Sequence, residues 1–153
     1  MKLIQRNRDA AYLQYDKYVD FDNPMVMEKA MDLTKNCRSV YEKIETIYYF
    51  VRDEIDHTWD AKDSTITISA SDVLEKKTGI SYSKANLLAA LMRANGIYTG
   101  FCYQRIKRFT YDNKLALHAL NAVFEPDVKK WIRLDARGNK CLLYTSPSPR
   151  DRT

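Results

Sequence analysis

Three residue types that together can run acyl-transfer chemistry stand far apart in this chain. They are Ser81 in "TGISYSKANLLAALMRANGI" (78–97), His118 in "LALHALNAV" and Asp135 in "WIRLDARGN". A hydroxyl attacks a carbonyl carbon effectively only when a base removes its proton. An imidazole serves as that base when a carboxylate fixes its tautomer. Ser81 stands at a helix start, where unpaired N–H groups and the helix dipole favour developing negative charge. Each residue also has an ordinary reading. Serine is a preferred helix N-cap, a histidine among apolar neighbours can be a satisfied core residue, and an aspartate before "ARGN" can open a turn. Spacing and composition alone define an α+β globular domain and leave its chemistry open.

The other candidates for chemistry are weaker. Cys37, Cys102 and Cys141 are widely spaced with no C-x-x-C pair, and His57 and His118 are the only histidines, so a structural zinc site is not expected. Sparse cysteines suit a reducing compartment. Cys102, in the apolar stretch "GFCYQR", reads as a buried structural thiol. His57 follows a helix end, where it could pair with the last carbonyls.

The elements that must position the three residues follow from periodicity. Residues 1–23 read as an extended, Tyr-rich segment. In "FDNPMVMEKAMDLTKNC", Asn23 can cap and Pro24 fits the first helical position, with Met27, Ala30, Met31 and Leu33 at helical spacing. "SVYEKIETIYYFVRDEI" is a stronger helix, with Val40, Ile44, Ile47, Tyr48 and Val51 on one face. Ser39 can cap it, with Glu42 three residues on. "DHTWDAKDSTITI" is a polar connection, and "SASDVLEKKTG" a short helix capped by Ser69 or Ser71. The Ser81 helix covers about 82–95 and stops at Gly96. Beyond it, "YTGFCYQRIKRFTY", "ALHALNAVFE" and "KWIRLDAR" are strand candidates, the first two parted by the turn "DNK". Helices first and an antiparallel sheet second make the fold class α+β.

The chain has 153 residues, 45% hydrophobic and 29% charged, which is one domain's worth of globular sequence. No apolar run approaches the roughly 18 residues of a membrane span, and the N-terminus turns polar too soon for a signal peptide. A cytoplasmic protein with no membrane partner is expected. The net charge of +5 is spread over short basic clusters separated by acids. These read as solvated faces, so no nucleic-acid partner is expected either.

The blocks "ASDVLEKKTGISYSKANLLAALMRANGIYTGFCYQR", "LHALNAVF" and "WIRLDARGNK", with "YVDFDNP" and "YYFVRDEIDHTWD" upstream, resemble the bacterial transglutaminase-like family of the papain-like cysteine peptidase clan. The resemblance spans most of residues 12–140. It implies a transglutaminase-like core, with the nucleophile helix packed on an antiparallel sheet. It also implies a catalytic set carried over as Ser81, His118 and Asp135, and a peptide or protein substrate attacked at an amide or glutamine side chain. No cofactor or metal is implied. The sequence departs from the family at the nucleophile, where Gly79-Ile80-Ser81 stands for G-x-C. A thiol there ionises before substrate arrives, whereas a hydroxyl must lose its proton to His118 during attack. The expected function is therefore amide acyl transfer or hydrolysis. The alternative is a catalytically silent module that binds peptide.

The end of the chain, "CLLYTSPSPRDRT", breaks with the rest: residues 141–149 carry no charge, and Pro147 and Pro149 alternate with serines. "CLLYTSPSPRD" resembles one reading frame of a transposase adapter used in DNA sequencing. Residues 1–140 are expected to form the domain, incomplete at its C-terminal end, and 141–153 a non-native tail.

Overall fold

The computed structural model describes residues 9–57, 66–107 and 115–137. The "DNK" turn, most of the 58–67 connection, Cys141 and the 141–153 tail lie outside the described residues.

The architecture is α+β, with four helices packed around a three-stranded antiparallel sheet. Residues 9–13, expected to be extended, instead form a 3-10 turn (Asp9–Leu13). Burial of Tyr12 accompanies the difference: its ring packs tilted against Trp131, 5.0 Å between centroids. Helix α1 (Pro24–Thr34) starts as its sequence dictates: Asn23 Oδ1 accepts the Met25 N–H at 2.9 Å, with Pro24 at the first position. Its buried stripe is Val26, Ala30 and Thr34, and Met31 is exposed. Thr34 holds that register through its one hydroxyl proton, which has Ala30 O at 3.0 Å and Asn95 Oδ1 at 2.9 Å as acceptors.

Helix α2 (Val40–Glu54) buries Ile44, Ile47, Tyr48 and Val51, the stripe its 3.6-residue period predicts. Ser39 Oγ accepts the Glu42 N–H at 3.1 Å, and Glu42 Oε2 accepts from Arg38 N at 2.7 Å. Two residues beyond α2, β1 (Asp56–His57) pairs in parallel with β2 (Thr78–Gly79). Between them runs α3 (Ala70–Lys76), capped by Ser69 and tied to the N-terminal segment through Asp20, whose Oδ1 accepts Ser71 N–H at 3.0 Å.

Helix α4 (Ser81–Ala94) is the centre of the molecule. Leu87, Leu88, Ala89, Ala90, Leu91 and Met92 are all fully buried, because α1, α2 and α3 cover it on one side and the sheet on the other. A helix apolar on nearly every face belongs inside a core. It ends at Asn95, after which Gly96 takes φ +74°, the left-handed conformation that stops helices.

The sheet follows: β3 (Thr99–Lys107), β4 (Leu115–Glu125) and β5 (Lys130–Leu134), in the order β3-β4-β5. Its register runs from Thr99↔Val123 to Lys107↔Leu115 on one side of β4, and from Asn121↔Leu134 to Glu125↔Lys130 on the other. Val123, Ile132 and Leu134 join the helices in a single core. No helix of the described residues is long and apolar enough to cross a membrane.

Candidate active site

The start of α4 is set by a tight junction. Thr67 Oγ1 donates to Thr78 O at 2.9 Å, Ser83 Oγ donates to Thr67 O at 2.7 Å, and Gly79 lies between them. A Cβ on Gly79 would stand 3.0 Å from Ser83 Cβ and 3.2 Å from Thr67 Oγ1. Glycine suits this close approach, since a Cβ there would press on Ser83 and Thr67, and the chain passes from β2 through Ile80 to Ser81. Ser81 is not the helix cap that its type suggests. The cap position belongs to Ile80, which has no side-chain cap bond, and Ser81 is the first helical residue. The pairing of Thr78 and Gly79 with β1 fixes the turn one residue earlier than a serine cap would need. Ser81 Oγ is thus released from capping, and it accepts the Ala119 N–H at 3.5 Å.

That bond brings the α4 start against β4, one residue from His118. A second tie comes from Asn121, fully buried, whose Nδ2 donates to Ala85 O at 3.1 Å and to Gly100 O at 3.4 Å. His118 is 7% exposed, and its Nε2 lies 2.7 Å from Asp135 Oδ2. A carboxylate only accepts, so Nε2 is the donor of this bond, and in a neutral ring Nδ1 is then the acceptor. Asp135 Oδ1 in turn accepts the Arg137 N–H at 3.1 Å. Asp135 therefore both opens a turn and holds an imidazole. Among the described residues no hydrogen bond joins Ser81 Oγ to the His118 ring. The structure brings His118 and Asp135 into direct contact, and Ser81 onto the backbone of the residue next to His118.

Sequence reasoning missed one charged residue beside this group. Lys84 lies one turn into α4 and is 1% exposed, its Nζ donating to Ile55 O at 2.7 Å and Arg52 O at 3.4 Å. Burial, aided by the charge of Arg137, pushes its ammonium down from 10.5 to about 8, while Asp135 opposes the fall. The signal was present in the sequence. Lys84, Leu87, Leu88 and Leu91 share one helical face, so a lysine in that stripe must be buried. Cys102 is half-buried, and burial raises its thiol above the ordinary value, which makes it a poor nucleophile at neutral pH. His57 belongs to β1, where its backbone lies opposite Gly79.

Known proteins share the sequence pattern and the fold of this chain. A sequence model described as Transglutaminase-like superfamily matches residues 28–136. The fold is similar to that of a candidate cysteine protease from Cytophaga hutchinsonii, with TM-score 0.69 and 21% identity, covering 91% of this chain and 44% of that one. It is also similar to the periplasmic domain of TgpA from Pseudomonas aeruginosa bound to ethylmercury (TM-score 0.63, 17% identity, 84% and 48% covered). A candidate protease from Parabacteroides distasonis is a third (TM-score 0.55, 14% identity, 86% and 30% covered). The chain spans less than half the length of each of these structures. No curated protein sequence matches it.

Proposed function

Because the chain belongs to the transglutaminase-like superfamily, whose fold it shares with cysteine-protease and transglutaminase-type enzymes, we propose that it is an amide acyl-transfer domain using Ser81, His118 and Asp135. The observation that carries this reading is the 2.7 Å His118–Asp135 bond beside an uncapped helix start bearing Ser81. The proposed substrate is a peptide or protein presenting a glutamine side chain or a backbone amide. The proposed setting is the cytoplasm, in keeping with the sparse, widely spaced cysteines of the sequence.

In this reading Ser81 Oγ attacks the carbonyl carbon while its proton passes to His118 Nδ1. The imidazolium that forms is held by Asp135. The oxyanion gains a hydrogen bond from the Ser81 backbone N–H, at the positive end of α4. Cleavage of the C–N bond takes the proton from His118 to the departing ammonia or amine, leaving an acyl ester on Ser81. Water or an acceptor amine then attacks that ester, giving its proton to His118, and Ser81 Oγ recovers a proton as it leaves.

A second reading has its own observation. Ser81 Oγ is engaged by the Ala119 N–H and not by the ring, as suits a silent module that binds peptide in the same cleft. The two part in one experiment. The chain is incubated with a blocked glutamine dipeptide and hydroxylamine, and hydroxamate is followed by mass spectrometry for wild type, Ser81→Ala and Ser81→Cys. The enzyme reading expects product from wild type and from Ser81→Cys, but not from Ser81→Ala. Wild type no faster than Ser81→Ala leaves the binding module.

A further inference from the structure

A cavity of about 300 Å³ opens between α2 and the β4–β5 turn, and none of Ser81, His118 and Asp135 lines it. Three tyrosines, Tyr41, Tyr48 and Tyr49, supply aromatic wall, and Ile44 and Ile132 supply aliphatic floor. Val128 and three carboxyl residues, Glu45, Glu125 and Asp127, complete the lining; no lysine or arginine is part of it, although Arg52 lies over the Tyr48 and Tyr49 rings. In a chain of net charge +5, that local balance is the reverse of the whole.

Glu125 is the decisive residue. It is 2% exposed, and its Oε2 accepts the Val128 N–H at 2.8 Å. Its Oε1 is buried and has no hydrogen-bond partner among the described residues. Lys130, opposite Glu125 in the β4–β5 register, forms no ion pair with it among the described residues. A buried carboxylate oxygen without a partner is costly unless a cation or donor completes it. The field of Glu125 and Glu45 also reaches the Tyr41 hydroxyl: after burial, these carboxylates are among the causes that raise it above 10.0. The tyrosines also take cations in this structure, since the Arg52 guanidinium lies 4.6 Å from the Tyr49 ring centroid and 5.4 Å from that of Tyr48.

We propose that this cavity is a binding site for an alkylammonium group of the lysine side-chain type. The butyl stem lies against Ile44 and Ile132, and the ammonium sits between the tyrosine faces and the Glu125 carboxylate, with Glu45 and Asp127 adding negative potential. The size fits, because the space is at the small end of ligand pockets and accepts one unbranched side chain. The terminal torsion of a glutamate is soft, so a small turn of the carboxylate brings Oε1 toward the ligand while Oε2 stays with the Val128 N–H.

The site is separate from the acyl-transfer reading, and its test does not depend on that reading. The full chain is titrated with Nα-acetyl-lysine methylamide and, in parallel, with the neutral norleucine analogue, followed by NMR chemical shifts. The lysine probe is expected to saturate, with the norleucine probe at least about fivefold weaker. Glu125→Gln keeps the shape and an acceptor for Val128 N–H, and Tyr41→Leu alters a half-exposed ring that the core does not need. Each is expected to weaken the lysine probe by about fivefold or more while leaving the norleucine probe unchanged. Equal binding of the two probes, failure of the lysine probe to saturate, or an unchanged lysine affinity in folded Glu125→Gln overturns the proposal.

Discussion

Replacing Lys84 with methionine isolates the energetics of the buried cation beside the site. The native ammonium titrates at about 8 against 10.5 for an ordinary lysine. At pH 7 the charged form is therefore disfavoured in the folded state by roughly 3 kcal/mol. Lys84→Met removes that cost but also removes the donor to Ile55 O and Arg52 O, a loss of about 1–3 kcal/mol. The two effects nearly cancel at pH 7, and wild type and variant should differ little in stability. The pH dependence does not cancel. Between the native value of about 8 and the unfolded value of 10.5, the unfolded chain binds the extra proton, so wild-type stability rises with pH. From pH 7 to pH 10 wild type should gain roughly 2–3 kcal/mol relative to the variant, because neutral Lys84 still donates to Ile55 O. Tyr41, Tyr48, Tyr103 and Cys102, all raised chiefly by burial, act in the opposite direction. They titrate in both proteins and drop out of the difference. Urea unfolding of both chains at pH 7, 8.5 and 10, followed by tryptophan fluorescence, measures it. A wild-type-minus-variant difference that stays flat across that range would falsify the buried-cation account.

Other perturbations test the scaffold. Gly79→Ala drives a Cβ against Ser83 and Thr67, and a loss of about 1–3 kcal/mol is expected in denaturant titration; an unchanged midpoint means the junction is looser than described. Ser39→Ala removes the cap of α2 and should cost about 1 kcal/mol, read as a drop of several degrees in Tm. Leu88→Ala, at a fully buried site in α4, should cost about 2–5 kcal/mol, and a loss under about 1 kcal/mol would contradict the central position of that helix.

The elements most legible in the sequence were those whose local and tertiary demands agree. Helix α2 is one, because Ser39 and Glu42 mark its start and a single apolar stripe marks its buried face. Strands β3, β4 and β5 were legible because extended apolar segments follow one another after Gly96. The paired dipeptides of β1 and β2 were not, since two residues carry no period. That hidden pairing is also why Ser81 begins the helix instead of capping it. Lys84 was not legible from its type, because a lysine is ordinarily exposed; only its place in the α4 stripe marks it as buried. The His118–Asp135 contact joins residues 17 apart in sequence, and only the resemblance to a family linked them before the fold did. The Glu125 cavity arises from packing α2 against the β4–β5 turn and leaves no local signature.

The proposed chemistry depends on His118 acting on position 81. Ser81→Cys places a thiol at the uncapped start of α4, where the native Oγ accepts the N–H of Ala119, the residue after His118. Its iodoacetamide alkylation rate, measured from pH 4 to 10, should report a thiol titrating well below the ordinary value of about 8.5. In Ser81→Cys with His118→Ala the profile should move back toward that value, by at least about one pH unit. Identical pH–rate profiles for the two proteins would contradict the account and leave Ser81 without a base.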